Sequence, residues 1–594
     1  MKKIMLLFGL LVTLLPPLYG QYVVKSEAEL ETLKKLPLEK MFIQSNASLF
    51  FPGEYMYFSA FCINAMTNRL SNISRIGYLE LIGENGVSYV NQKFNLNEGR
   101  GQGDLFIPVN LPSGNYKLVA YTHWMRNGGI LQLFQDDVVI INPYQSNQEN
   151  LLKNGMASNS NDLNGPSTDL RVSNDDNSIQ LQTDKINYGK REKVTLTVRN
   201  YKGPLGYGDY SLNIRKKSEI SFSSTMSAVA YANEFLRVEK VIPNSINDTV
   251  FLPEQRGELF FGQVLGPNQN PIADEDVIIS IPGKDFQLKS AITDASGNFY
   301  LYINKPYVAP VLVAQTLETD FNKQKVILRD KSSIDPSGFS FSDFNLDKEM
   351  EKAIIERSIH NQIENAYYSA KPDSIISTLT VDPFDGGIPE VINLEEYTRF
   401  ATLRETLVEL VPNVWVKKME NERYSFWIRE KLEKYEDEFQ SDPPLVLVDG
   451  VFIPDHNSLL DFNANLIERI SILRDPLVLG DKKYLGMMVI ETVEGDFLER
   501  MVSSNRDTKE LQTPTGRKSY FKQSYSSIDS EKYDHIPDYR SQLFWNPTIE
   551  IRQDKNAQIY EFYTSDLEGE YELIMDGFTT YGKPISIREM ISVN

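Results

Sequence analysis

Apolar and polar residues alternate in short runs along most of this chain, with turn residues between them about every ten positions, which is the pattern of strands packed in sandwiches. The region 38–144 shows it best. Tyr55-Met56-Tyr57-Phe58-Ser59-Ala60-Phe61 follows the turn Pro52-Gly53, and Gly77-Tyr78-Leu79-Glu80-Leu81-Ile82 precedes Glu84-Asn85-Gly86. Alternation stops over 145–178, where Asn, Ser, Asp and Gly crowd out apolar residues, so this stretch predicts a linker. It resumes over 179–217, a second sandwich-like unit, and over 252–330, a third. Within 347–372 the period changes to helical: Ile354, Ile355, Ile359, Ile363 and Tyr367 predict one apolar face, and Pro372 closes the helix. A second helix is expected over 397–410. The stretch 392–500 mixes strands with a short helix at 459–467 and predicts a small α/β unit, and 542–594 returns to strands. The expected class is therefore mainly β: tandem Ig-like sandwiches with an inserted helical segment and a small α/β domain.

The first twenty residues set a compartment. Lys2 and Lys3 precede an apolar run from Ile4 to Leu15, Pro16-Pro17 ends it, and Gly20 offers a small residue for cleavage. That order predicts a secretory signal peptide over 1–20. The run is shorter than the roughly 20 residues a membrane span needs. The mature chain is expected to begin near Gln21 and to carry no lipid, because the single cysteine, Cys62, lies far from the cleavage point. One cysteine allows no internal disulfide, so cores must hold the domains. The formal charge is −20, about −22 once Lys2 and Lys3 are removed. An acidic surface repels nucleic acid and anionic membranes, so neither is expected as a partner.

Several motifs resemble those of known envelope proteins. Pro52-Gly53-Glu54, Gly99-Arg100-Gly101-Gln102-Gly103, Leu111-Pro112-Ser113-Gly114-Asn115-Tyr116 and Ala120-Tyr121-Thr122-His123-Trp124-Met125-Arg126-Asn127 resemble, in that order, a macroglobulin-like domain of bacterial envelope proteins. The span 257–304, with Thr293-Asp294 and Gly297-Asn298-Phe299, resembles a carboxypeptidase-regulatory-like sandwich. Pro444-Leu445-Val446-Leu447-Val448-Asp449-Gly450, Leu466-Ile467-Glu468-Arg469-Ile470 and Val489-Ile490-Glu491-Thr492 resemble the plug of TonB-dependent receptors. Leu543-Phe544-Trp545-Asn546-Pro547 and Phe562-Tyr563-Thr564-Ser565-Asp566 resemble the closing domain of large macroglobulin-type proteins. The resemblance implies architecture more than chemistry. A reactive thioester needs a Cys-Gly-Glu-Gln run, whereas Cys62 reads as a small apolar strand residue. About 98 residues follow Asp496, too few for the roughly 22-strand barrel that surrounds such a plug.

Chemistry is sparse. His123, His360, His456 and His535 form no metal-spaced pair, and no nucleophile elbow or phosphate loop occurs. His123 is expected to pack at a strand end and His360 to be solvated. Thr515-Gly516-Arg517-Lys518-Ser519 reads as a basic surface turn, and Asp274-Glu275-Asp276 as a solvated one. Asp248-Thr249-Val250 and Asp373-Ser374-Ile375 match a short O-glycosylation pattern that chance also produces. No catalytic residue, metal or cofactor is expected. The expected function is a non-catalytic scaffold of a Gram-negative envelope, periplasmic or outer-membrane associated, docking another envelope protein through the Asp449-Gly450 turn of the plug-like unit. The alternative is a glycan- or peptide-binding module, which an aromatic-lined groove would favour; a hydrolase using paired carboxylates is the least favoured.

Overall fold

The computed structural model describes residues 22–594 apart from 149–150, 153–177, 221, 224, 237–244, 318–322, 377–380, 420–422, 432–442, 501–505 and 527–532. The signal peptide and most of the linker lie outside the described residues. The chain is mainly β, with 42% strand against 16% helix.

The first sandwich sets a three-stranded sheet, Glu39–Ser45, Tyr55–Asn64 and Arg100–Phe106, on a five-stranded one. The latter runs Leu49–Phe50, Phe134–Ile140, Gly114–Tyr121, Ile76–Gly83, Ser88–Asn95. Phe42, Phe58, Phe61, Phe94, Leu79 and Leu118 fill the space between. The alternating glycines of Arg100–Phe106 have a steric cause: a Cβ on Gly101 or Gly103 would lie 2.6 Å from the Phe94 ring or 2.5 Å from the Phe58 ring. Cys62 is fully buried in its strand, and burial followed by Glu39 pushes its thiol well up. Trp124 anchors one end, its indole donating to Pro37 O at 2.9 Å. Tyr116 donates to the carbonyl four residues before it, Pro112, at 2.6 Å. The same local brace recurs at Tyr210–Gly206 and Tyr571–Leu567, at 2.9 Å each.

The stretches 179–217 and 542–594, which alternation presents as two units, are one sandwich. Gly208–Lys216 lies between Gln542–Ile551 and Gly569–Thr579, and Lys193–Asn200 pairs with Ala557–Tyr563. Leu196, Leu212, Ile214, Phe562, Leu573 and Met575 share its core. Neither stretch alone has the strands to cover its own apolar face. The helix Ala228–Phe235 wedges between the first two sandwiches, with the Tyr231 ring 5.3 Å from Phe42.

The third sandwich sits inside the second, between Lys216 and Gln542. It packs Glu258–Leu265, Asn298–Ile303 and Lys325–Leu328 against Asp276–Ile281, Gln287–Ile292 and Val311–Thr316. Its last strand, Arg506–Glu510, pairs with Val311–Thr316 only after the chain has made a further unit. That inner unit is a five-stranded mixed sheet ordered Glu390–Asn393, Ile467–Leu473, Met487–Thr492, Leu445–Val448, Val451–Phe452. Leu445–Val448 runs parallel to Met487–Thr492. The helix expected from 397 starts at Leu403, where Thr402 and Glu405 form a reciprocal cap. The helix expected at 459–467 is instead two 3-10 turns, His456–Leu459 and Ala464–Leu466. Asp455 and Asn463 each accept from the backbone two residues on, which competes with helix growth.

The long helix spans Glu351–Ala366, with 3-10 turns at both ends. Its expected apolar face turns inward only in part: Ile354 packs on the cluster of Leu49, Phe51 and Val139, and Ile363 is half-buried. Ile355 and Ile359 are half exposed and Tyr367 is open to solvent, while Arg357, Ser358 and Asn361 face inward. Specific polar bonds outweigh the apolar stripe: Arg357 grips Glu54, Asn361 donates to Pro52 O at 2.6 Å, and Ser358 donates to the Tyr144 hydroxyl at 3.1 Å.

Candidate functional site: an aromatic and ionic cleft

The helix Glu351–Ala366 walls a cleft of about 1470 Å³ whose other sides are the first and second sandwiches. Its floor is ionic. Glu54 follows the Pro52-Gly53 turn and accepts two hydrogen bonds from Arg357, both 2.8 Å, and one from Phe51 N–H at 3.0 Å. Arg215, at the end of Gly208–Lys216, lies 3.8 Å from the same carboxylate. Burial alone would push the Glu54 carboxyl up, but Arg357, then Arg215 and the Phe51 amide, hold it below the usual range. Burial lowers Arg215 to about 10. A second knot is balanced: Arg540 clasps Asp538 at 2.6 and 2.7 Å, and Lys371 reaches Glu364 at 2.7 Å.

One side of the cleft is aromatic. Tyr55 and Tyr57 project on one face of their strand because they are two residues apart. The rings of Trp545, Tyr57, Tyr55 and Tyr368 follow one another near-parallel, with centroids 6.1, 6.1 and 5.7 Å apart. Tyr520 meets Tyr57 edge-on at 4.9 Å. Tyr368, which closes the row, is 46% exposed, so its outer face is open. Asp136 also lines the cleft; burial raises its carboxyl to about 7, against amides of Met226 and Asp137 that pull it down.

The residues expected to dock a partner lie elsewhere. Asp449 and Gly450 make the two-residue turn between Leu445–Val448 and Val451–Phe452, both at positive φ. The Asp449 carboxylate accepts from Thr492 N–H at 2.7 Å, the Thr492 hydroxyl at 2.6 Å and Phe497 N–H at 3.1 Å. Its carbonyl accepts from Gly283 N–H at 3.0 Å. A Cβ on Gly450 would stand 2.7 Å from Phe286 Cβ. The turn packs onto the third sandwich of its own chain, with Gly450 buried and Asp449 half-buried. The backbone signature of a tight turn is the same whether its neighbour is another protein or another domain.

The histidines are dispersed. His123 is buried against Tyr78, ring centroids 4.9 Å apart, and burial, then Lys331 and Arg126, keeps it far below its ordinary pKa. His456 is buried beneath Phe426, whose amide it accepts at 3.2 Å, and burial lowers it to about 4. His360, expected in solvent, stacks on Tyr539 at 4.5 Å in the cleft wall. His535 is exposed. Among the described residues no group of three His, Cys, Asp or Glu could hold a metal ion. The expected basic turn at 515–519 straps the first sandwich: Lys518 pairs with Asp104 at 2.7 Å and Thr515 N–H donates to Lys93 O at 2.8 Å. Asp276 of the expected solvated turn pairs with Lys482 at 2.6 Å. No helix among the described residues is long and apolar enough to cross a membrane.

Fold and cleft together define a mainly β, multi-sandwich protein with a polar, aromatic-sided groove between its first two sandwiches. No family model matches the chain, and no curated protein matches it. Solved structures similar to it include Salmonella alpha-2-macroglobulin reacted with methylamine, at 8% identity and a TM-score of 0.23, over 97% of this chain and 40% of that one. The native conformation of E. coli alpha-2-macroglobulin gives 10% identity and 0.23, over 96% and 41%. The Yersinia pseudotuberculosis adhesin InvE gives 10% and 0.13, over 49% and 58%. The chain thus spans less than half the length of these macroglobulins.

Proposed function

We propose that this chain is a non-catalytic binding protein of a Gram-negative envelope, exported by its N-terminal segment, and that it holds a segment of another envelope protein in the cleft. The units at 252–330 and 392–500, which resemble carboxypeptidase-regulatory-like and plug domains, serve as its frame. The observation that carries this is the cleft itself. Its volume exceeds the roughly 300–1,000 Å³ of small-molecule sites, which suits a polymer. Its aromatic row and its arginines are the residue types enriched on recognition surfaces. A second reading, glycan binding, is favoured by the open face of Tyr368.

The test is direct binding of the full mature chain to immobilised peptides and to neutral and acidic oligosaccharides, repeated with Tyr368→Ala. Retention of peptides, weakened about tenfold by loss of one contacting ring, about 1.4 kcal/mol, supports the proposal. Retention of saccharides alone supports the glycan reading. Binding indifferent to Tyr368→Ala, or no binding to either set, overturns the cleft as the site.

A further inference from the structure

Arg215 is a cation of the cleft floor whose charge the fold compensates only at a distance. Its side chain is 12% exposed, yet its nearest carboxylate is the Glu54 oxygen at 3.8 Å. Among the described residues nothing hydrogen-bonds its guanidinium. Both Glu54 oxygens are engaged by Arg357 at 2.8 Å and one also by the Phe51 amide, so Arg215 meets that carboxylate only at ion-pair distance. Two guanidiniums therefore share one carboxylate, and the enclosed floor carries one net positive charge. A buried cation without a hydrogen-bonded anion is costly. The neighbouring knot shows the contrast: Arg540 and Lys371 are matched by Asp538 and Glu364.

We propose that Arg215 receives a single carboxylate from an otherwise neutral or basic peptide segment bound in the cleft. The inference rests on the cleft being the binding site. A guanidinium presents parallel N–H donors that match a carboxylate fork, a stronger and more directional bond than a neutral one. The charge of the remaining surface limits the ligand to one such group. Ten carboxylates line the cleft against seven lysines and arginines, so a polyanion, whether uronate chain, polyphosphate or acidic peptide, meets repulsion away from the floor. The row of Tyr57, Tyr55 and Tyr368 on the same cleft supplies an apolar ledge for the side chains that flank the carboxylate. The carboxylate is either the α-carboxylate of a chain end or one Asp or Glu side chain.

The experiment uses the full mature chain and three random-sequence octapeptide pools lacking other acidic residues: one with a free C-terminus, one amidated, and one amidated with a single internal Glu. A uronic-acid trisaccharide is the fourth probe. The expected result is retention of the free-acid pool, the single-Glu pool, or both, with Arg215→Gln weakening it at least tenfold without lowering the melting temperature. Arg215→Lys, which keeps charge without the fork, should fall between. Which pool is retained identifies the source of the carboxylate. If Arg215→Gln does not fold, the comparison of amidated with acid-bearing pools on the wild-type chain decides. Equal retention of the acid-free amidated pool, or unchanged binding by Arg215→Gln, overturns the role of Arg215 while leaving the cleft as the site. Retention of the trisaccharide alone overturns the peptide. Retention of none of the probes overturns the cleft as well.

Discussion

Glu54 lies at the centre of the cleft floor, and its environment fixes what its loss would do. Glu54→Gln leaves Arg357 and Arg215 enclosed with no counter-charge. Removing one partner of a buried pair costs about 3 kcal/mol or more, so urea denaturation should show a loss of that size. Asp136 gives the opposite kind of prediction. Its carboxyl is raised to about 7 in the folded chain, above the roughly 3.9 of an unfolded aspartate. The folded state therefore holds its proton more tightly, and its contribution is full below pH 4 and is lost as pH rises towards 7. Asp136→Asn cannot ionise and escapes that loss. Urea midpoints should show the variant gaining on wild type by up to about 1.4 kcal/mol per pH unit between 4 and 7; parallel profiles would show that Asp136 is not held in this way. At this scale the sequence was partly legible. Cys62 and His123 pack as their neighbours suggest. Arg215 carried only a weak signal, the basic run Arg215-Lys216-Lys217 at a strand end, because nothing local tells that Glu54 is already taken by Arg357.

Among the elements, the turn at 449–450 is where two units meet. Gly450 has φ +81°, and a side chain there would collide with Phe286 and with the Gly283 backbone. Gly495 has φ +67° but open space around it. Gly495→Ala should cost about 1 kcal/mol from backbone strain alone, while Gly450→Ala should cost clearly more, measured by thermal unfolding of the whole chain. Equal losses would mean the inner unit does not press on the third sandwich. The helix Glu351–Ala366 supplies a second check. Ile355 and Ile359 are 52% and 50% exposed, so Ile355→Glu or Ile359→Glu should change stability by no more than about 0.5 kcal/mol; a loss of 2 kcal/mol or more would restore the apolar face to the core. The helix was legible from its period, and its orientation only in part, since Ile354 packs inward while Ile355 and Ile359 do not. Periodicity locates an apolar stripe, whereas ion pairs with Glu54 and bonds to Pro52 and Tyr144 decide which stripe turns inward.

For the whole molecule the decisive fact is nesting. The second sandwich holds the third between Lys216 and Gln542, and the third holds the mixed sheet between Leu328 and Arg506. Alternation marks strands well, which is why the mainly β class was legible. It is blind to which strands pair, because Lys193–Asn200 has the same pattern whether its neighbour is close in sequence or, as here, Ala557–Tyr563. Nesting also explains why the cleft escaped the sequence: its walls come from parts of the chain as far apart as Glu54, Arg215, Arg357 and Trp545. The central claim is that ligand enters this cleft. Amide hydrogen exchange of the full mature chain, free and saturated with the most strongly retained octapeptide, tests it most directly. Protection over 213–219, 353–368 and 539–545, with 445–452 unchanged, is the result expected; protection centred on 445–452, or none in the cleft walls, would contradict it.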